Sequence, residues 1–299
     1  FDLEIHVYYE QEHASVRIVD THTNIVQIEK NWQVIFEDKT TSLELKADHS
    51  ALIMKQIWDF SQTVDIDDVK EILDRQITCN MAIANEGIHN SYGANIGHVI
   101  LNMDSDCVKT RAKAYAAAGS DARMNACELP VVINSGSGNQ GITCCVPVVV
   151  YAKELDCTQE QLYRALVLSN LTAIYIKTGI GTLSAFCGAV SAGAAAGAGI
   201  AYLHNGTYKE IQHTIVNALA ILSGTICDGA KASCAAKIAS SVDAGIMGYY
   251  MYKNKQQFYA GDGIVAHSVD ETIQNIGTLG SQGMLQTNDK IIEMMISCD

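Results

Sequence analysis

The stretch Gly224-Thr-Ile-Cys227-Asp-Gly-Ala-Lys-Ala-Ser-Cys234 separates two apolar helical runs and brings two thiols close together in the chain. A third thiol, Cys187, begins the small-residue run Cys187-Gly-Ala-Val-Ser-Ala-Gly-Ala-Ala-Ala-Gly. Three thiolates can hold an iron–sulfur cluster and leave one iron free for a further ligand. Cysteine also packs in protein cores as a small hydrophobic residue. The spacing alone therefore favours buried structural cysteines, and the choice depends on the rest of the sequence.

The bulk composition is that of a globular protein. The 299 residues are 48% hydrophobic and 18% charged, and the formal net charge is −13. Nucleic acids and anionic membrane surfaces attract clustered Lys and Arg, so we expect neither as a partner. No window has the long apolar run of a transmembrane helix. The closest, Ala185 to Leu203, is weakly hydrophobic and its small residues suit close helix packing.

The ten cysteines indicate a reducing compartment. Several lie in apolar helical patterns, whereas a secreted disulfide scaffold is shorter and richer in loops. The chain is therefore predicted to be cytoplasmic, where cysteine clusters serve metals or catalysis more often than cross-links. No Cys-x-x-Cys pair occurs, which disfavours a zinc ribbon. Cys144 and Cys145 are neighbours in a helical run and point in different directions, so we do not expect them to bind one metal.

The first part of the chain has the period-two alternation of half-buried strands. Residues 3–8, 14–19 and 24–29 alternate apolar and polar side chains, and residues 32–36 add a fourth short strand. These patterns predict a small antiparallel β unit over residues 1–45, followed by a linker. Because the chain begins in mid-strand, we expect this unit to be the end of a larger N-terminal domain.

From residue 50 onward the apolar residues recur at helical spacing. We therefore predict an α+β protein, in which the small antiparallel β unit precedes a large, mostly α-helical domain over residues 50–299. The small residues of several helices would also allow a homodimer. The predicted helices cover residues 69–84, 106–119, 142–155, 158–177, 183–204, 207–223, 235–252, 268–283 and 287–298, with a Gly-broken loop over residues 86–97.

A run of small polar residues between two apolar runs is the most specific local feature. Glycines permit left-handed backbone, and amide groups at the start of a helix bind anions. We expect this segment, called the Ser/Gly loop below, to bind the carboxylate of a small amino acid; an ordinary polar turn is the alternative. No Gly-Lys-Ser/Thr follows, so it is not a P-loop. The predicted substrate-binding residues are Asn134, Ser135, Gly136, Ser137, Gly138, Asn139 and Gln140.

Four charged or titratable residues are further candidates. Asp121 and Arg123 could orient the ammonium and carboxylate groups of a substrate, or they could be a solvated surface pair. His22, at a predicted hairpin turn, could shuttle protons because imidazole titrates near neutrality; a surface histidine is the alternative. Glu86, before the predicted loop, could act as a base if it is buried.

The order of these motifs resembles that of a known family. Ser120-Asp-Ala-Arg-Met, the Ser/Gly loop with the following Ile142, and then Cys187, Cys227 and Cys234 are similar to the L-cysteine desulfidase family. That family is related to the α chain of iron–sulfur L-serine dehydratases. His22-Thr-Asn24-Ile-Val fits the same family, and the resemblance covers essentially the whole chain.

The resemblance implies a [4Fe–4S] enzyme that eliminates a β-substituent from L-cysteine or L-serine. It implies that Cys187, Cys227 and Cys234 are the cluster ligands and that the Ser/Gly loop lies at the substrate. The family also has an N-terminal segment with a Gly-Cys-Thr-Glu-Pro motif, which does not occur in these residues. We therefore expect this chain to associate with such a segment, and the 299 residues alone to be inactive or to lack the cluster.

Two other functions remain open from the sequence. The chain could be a non-catalytic module that binds an amino acid at the Ser/Gly loop and uses its cysteines as core. It could also be a metal-free hydrolase with Ser135 or Ser137 as nucleophile, although no Gly-x-Ser-x-Gly elbow is evident. Cysteine and serine share one amino-acid frame, so the sequence does not choose between them.

Overall fold

The N-terminal strands form one antiparallel sheet with neighbours in chain order. The computed structural model describes residues 2–19, 24–38, 48–181 and 184–297, and the chain divides into two units, Phe1–Asp48 and His49–Asp299. The predicted α+β class is confirmed. The strands are β1 (Asp2–Tyr9), β2 (Glu12–Val19), β3 (Ile25–Lys30) and β4 (Gln33–Glu37).

The sheet has one apolar and one polar face, as its alternating sequence predicts. Leu3 pairs with Ile18 and Ile5 with Val16, so these side chains share a face. On the other face, Arg17 Nη2 lies 2.5 Å from Asp2 Oδ2. The period of two therefore fixes which side chains stand together in this unit.

The second unit is built of helices joined by loops and turns. No described helix combines the length and apolar character that a membrane crossing requires. The helices are α1 (Met54–Thr63), α2 (Ile66–His89), α3 (Ile96–Met103), α4 (Val108–Met124), α5 (Gly138–Glu154), α6 (Gln159–Ile180), α7 (Gly188–Leu203), α8 (Tyr208–Ile221), α9 (Cys234–Lys253), α10 (Val269–Thr278), a π-helical turn (Leu279–Gly283) and α11 (Leu285–Ile296).

Helix α7 lies at the centre of this unit and packs against α5, α6, α8 and α9. A Cβ added to Gly193 would lie 2.3 Å from the carbonyl oxygen of Ser241, and one added to Gly197 would lie 2.6 Å from that of Gly245. A step of four residues along α7, from Gly193 to Gly197, moves the contact four residues forward along α9, from Ser241 to Gly245. The two helices therefore run parallel. The beginnings of α7 and α9, where Cys187 and Cys234 lie, are therefore at the same end of the helical unit.

Two of the predicted boundaries that are wrong affect candidate site residues. Helix α2 continues to His89, so Glu86 lies in its last turn and not in a loop. Helix α4 continues through Gly119 to Met124, which makes Asp121 and Arg123 helical. Gly119 does not end the helix, because its missing side chain lets α4 approach Ile142 and Ala84 closely.

Candidate functional site

Two of the three singled-out thiols meet across a short backbone pairing. Phe186 and Ile226 form an isolated antiparallel bridge. On either side of it, the Cys187 N–H donates to the Thr225 carbonyl at 3.2 Å, and the Cys227 N–H donates to the Ala185 carbonyl at 2.6 Å. The side chains of Cys187 and Cys227 interact directly. We call these two residues the thiol pair.

The pKa values of the two thiols are shifted in opposite directions. The interaction with Cys187 lowers the pKa of Cys227 to about 6, against the opposing effect of burial and with help from Lys237 and Lys177. The same interaction, together with burial, raises the pKa of Cys187 above its ordinary value. The pair therefore favours a thiolate at Cys227 beside a thiol at Cys187, and the cations nearby favour the thiolate.

Two lysines flank the thiol pair in different surroundings. Lys237 on α9 is ion-paired with Asp228 and donates to the Ile226 carbonyl at 2.8 Å. Burial opposes its charge, but Asp228 raises the pKa of Lys237. Lys177 on α6 donates to the Gly181 carbonyl at 2.6 Å, and burial lowers its pKa. No carboxylate among the described residues forms an ion pair with Lys177.

Cys234 lies at the same end of the unit but does not complete a set of three ligands. Its sulfur is 3.6 Å from the Gly229 carbonyl oxygen and 3.4 Å from the Lys231 nitrogen. Within residues 2–19, 24–38, 48–181 and 184–297, no three His, Cys, Asp or Glu side chains are grouped as a metal site. Two thiol donors therefore fit a thiophilic metal, whereas the third is not assembled with them.

The Ser/Gly loop is a tight turn that begins α5. The N–H groups and carbonyls of Asn134 and Ser137 exchange hydrogen bonds at 3.1 and 3.0 Å. Ser135 and Gly136 have φ values of 49° and 76°, so the turn requires left-handed backbone at both. The Ser137 hydroxyl caps α5 by accepting from the Gln140 N–H at 3.5 Å.

Residues of two other helices, α4 and α7, meet this loop. Arg123 Nη1 donates to Asn139 Oδ1 at 3.3 Å, and a Cβ on Gly138 would lie 2.2 Å from Arg123 Nε. Arg123 also interacts electrostatically with Cys234. Gln140 lies against Gly188, the residue after Cys187. The loop therefore contacts the beginning of α7, directly beside the thiol pair.

A buried amide network anchors the first residue of the loop. Asn134 Nδ2 donates to Asn170 Oδ1 at 2.9 Å. Asn170 and Gln76 exchange two side-chain hydrogen bonds of 2.8 Å each. Asn134 is thus held by α6 and α2, and its amide donor is already used within the protein.

Asp121 and Arg123 are not a solvated surface pair. Asp121 is 1% exposed, and its Oδ2 accepts from the Ile96 N–H at 2.7 Å, at the beginning of α3. Burial raises the pKa of Asp121 and lowers that of Arg123. Asp121 therefore caps a helix with one oxygen, while Arg123 reaches the Ser/Gly loop.

Of the two residues predicted as catalytic, the structure describes only Glu86. Glu86 accepts hydrogen bonds of 2.9 Å from the Tyr92 hydroxyl and from Asn90 Nδ2, and the pKa of Tyr92 rises to about 12 because of Glu86 and, secondarily, Cys127. No described contact joins Glu86 to the thiol pair. His22 lies outside the described residues.

The sequence analysis missed four residues of this site. Gln76 and Asn170 interrupt apolar helical faces, and buried amides at such positions could have signalled a network. Lys177 and Lys237 gave no usable signal, because lysines are common on helices and only the fold brings these two to the thiol pair.

Comparison with known proteins is consistent with the motifs. The family described as serine dehydratase alpha chain matches residues 6–293. A UPF0597 protein of Desulfitobacterium hafniense is 56% identical over 299 residues, covering 99% of this chain and 70% of the relative. A UPF0597 protein of Lachnoclostridium phytofermentans is 51% identical, covering 94% and 68%, and one of Finegoldia magna is 48% identical, covering 99% and 71%. The chain therefore belongs to the serine dehydratase alpha chain family, with UPF0597 proteins as its relatives.

Proposed function

We propose that this chain belongs to an iron–sulfur-dependent lyase that eliminates hydrogen sulfide from L-cysteine or water from L-serine. The observation that supports this most is the contact between the Ser/Gly loop and the thiol pair, in which Gln140 lies on Gly188 beside Cys187. A loop suited to an amino acid and a pair of thiols suited to iron then form one site. Family membership points to the same class of enzyme.

Cys187, Cys227 and Cys234 are the proposed ligands of a [4Fe–4S] cluster. Such a cluster supplies a Lewis acid that stabilises the charge of the departing sulfur or oxygen. The chemistry of three thiols suits this role, and the nearby cations Lys177 and Lys237 favour thiolates over thiols.

The remaining groups of the site bind and orient the substrate. Arg123, which has no carboxylate partner among the described residues, would bind the α-carboxylate with its planar fork of donors. The amide groups at the beginning of α5 would add to this anion site. The ion pair with Asp228 keeps Lys237 protonated, so Lys237 contributes a fixed positive charge.

Elimination also requires a base for the α-proton. His22 and Glu86 remain the proposed bases. Glu86 is held by Tyr92 and Asn90, which would fix its position. The released aminoacrylate hydrolyses in water to pyruvate and ammonia.

Anaerobic purification tests the proposal. We expect a brown protein with iron and acid-labile sulfide that forms pyruvate from L-cysteine or L-serine, each assayed separately. The assay should include a sample of the full-length Desulfitobacterium hafniense relative, because this chain covers 70% of it. Iron-free protein without pyruvate formation from either preparation would contradict the proposal.

A non-catalytic amino-acid-binding module is the second candidate. The separation of Cys234 from the thiol pair favours it, because no three donors are grouped among the described residues. Calorimetric binding of an amino acid to a colourless, inactive protein would support this alternative. In either case we propose a cytoplasmic protein, since the nine described cysteines are free thiols, and a homodimer that the small-residue helices would allow.

A further inference from the structure

Gln140 carries a buried acceptor without a donor. The residue is 6% exposed, and its Oε1 has no hydrogen-bond partner among the described residues. A buried carbonyl without a partner is costly, so such groups in native proteins are nearly always satisfied by a protein group, a water or a ligand. The donor that is missing from the protein is therefore to be sought in what the site binds.

Two observations locate this residue. The Gln140 N–H is bound to the Ser137 hydroxyl within the first turn of α5. At the other end, the position of a Cβ on Gly188 lies 2.7 Å from Gln140 Nε2 and 3.0 Å from Oε1. Only glycine at residue 188 lets the carboxamide lie this close to the backbone. Gln140 therefore presents its oxygen at the beginning of α7, next to Cys187.

The hydrogen-bonding chemistry of each group of an amino acid determines which one suits this oxygen. A carboxylate has no donor and cannot bond to Oε1. The ammonium group does have donors, and the carboxylate beside the thiol pair, Asp228, is already ion-paired with Lys231 and Lys237. An ammonium group that enters this site needs an acceptor that no lysine has taken, and Gln140 offers one.

We propose that Gln140 is the specificity residue that recognises the α-ammonium group of the substrate through Oε1. This inference rests on the proposed function, and it makes the site selective for amino acids over acids of the same frame that lack the amine. L-Cysteine and 3-mercaptopropionate differ only in this group, as do L-serine and 3-hydroxypropionate.

The test compares these pairs in the active, anaerobically prepared protein. The KM of the substrate that turns over and the inhibition constant of its des-amino analogue are measured for the wild type and for Gln140→Leu. We expect the KM to rise about tenfold or more, as for a lost hydrogen bond to a charged group, and the inhibition constant to change by less than about twofold. Gln140→Glu keeps an acceptor and should retain the selectivity.

Two further variants separate recognition from folding. Gly188→Ala should displace the carboxamide without changing its chemistry. It should therefore reduce, as Gln140→Leu does, the ratio of the analogue's inhibition constant to the substrate's KM. Gln274→Leu, on the exposed face of α10, should leave both constants unchanged. An active wild type whose ratio is unaffected by Gln140→Leu would overturn this assignment alone, as would an equal loss for both ligands. A wild type without turnover would overturn the proposed function, and this inference with it.

Discussion

Two pairs of cysteines in the same helical unit have opposite chemistry. Cys144 and Cys145 lie within α5 and are fully buried. Burial raises the pKa of Cys144 to about 12 and also raises that of Cys145. In the thiol pair, by contrast, Cys187 lies at the beginning of α7, and the pKa of its partner Cys227 falls to about 6.

The difference comes from what surrounds each sulfur. The Cys144 thiol donates to neutral oxygens, the Gly141 carbonyl at 3.5 Å and Asn170 Oδ1 at 3.4 Å, and no cation among the described residues contributes to its pKa. Cys227 has a second thiol, two lysines and the Gly229 amide. Adjacent cysteines in mid-helix are therefore core residues, whereas cysteines far apart in sequence form the reactive pair.

The largest expected effect is on iron binding. In Cys187→Ser or Cys227→Ser, we expect iron to fall to the background level and pyruvate formation to fall by roughly two orders of magnitude, because a ligand is lost. Cys145→Ala is the matched control, and it should keep both iron and activity. Iron and sulfide assays on anaerobically purified variants measure this, and equal iron in all three would remove the distinction between the two pairs.

Alkylation of the metal-free protein compares the same sulfurs directly. At pH 7 iodoacetamide should modify Cys227 about a hundredfold or more faster than Cys144 or Cys145, because the thiolate is the nucleophile and burial also blocks access. The lowered pKa means that the rate at Cys227 falls as the pH drops through about 6 and is nearly constant above it. Peptide mass spectrometry against time gives each rate; similar rates at Cys144 and Cys227 would contradict the prediction.

Removing the Cys187 thiol should return the pKa of Cys227 towards that of an ordinary cysteine. In Cys187→Ala the hydrogen bond that contributes most to the lowered pKa is absent, so the midpoint of the alkylation profile should rise by about one pH unit or more, toward about 8.5. Lys237→Met should raise the midpoint less, since only a charge is lost. Lys153→Met, on the exposed end of α5, is the control. A midpoint that stays near 6 in Cys187→Ala would assign the shift to the lysines instead.

Much of the fold could be predicted because it depends on local pattern. Alternation identified the strands of the N-terminal sheet, and helical periodicity identified most of the helices, including the small-residue helix α7, but not α3. The wrong helix boundaries lie where tertiary contacts, and not the local sequence, determine the backbone conformation. Gly119 is a helix breaker by propensity, but it lies inside α4 because Ile142 and Ala84 pack against it. Glu86 lies in the last turn of α2, where Tyr92 and Asn90 bind its carboxylate.

The candidate site was predictable only in part. The Ser/Gly loop stood out because its glycines and short polar side chains are adjacent in sequence. That Cys187 meets Cys227 depends on the bridge between Phe186 and Ile226, which sequence spacing does not reveal. The convergence of Cys234 with the thiol pair stays a prediction, since its nearest described partners are Gly229 and Lys231.

The smallest expected effect concerns the amide network that links the two cysteine regions. Asn170 Oδ1 accepts from Cys144 Sγ, Asn134 Nδ2 and Gln76 Nε2, so Asn170→Leu leaves three donors without their acceptor. We expect the free energy of unfolding to fall by about 2 kcal/mol, measured by urea denaturation of the metal-free protein. Gln274→Leu, on the exposed face of α10, is the control and should change it by less than about 1 kcal/mol. Because Asn134 starts the Ser/Gly loop, Asn170→Leu should also raise the substrate KM, whereas the alkylation midpoint of Cys227 should stay near 6. A change in that midpoint would mean that the network reaches the thiol pair itself, and the two regions would then be coupled rather than merely adjacent.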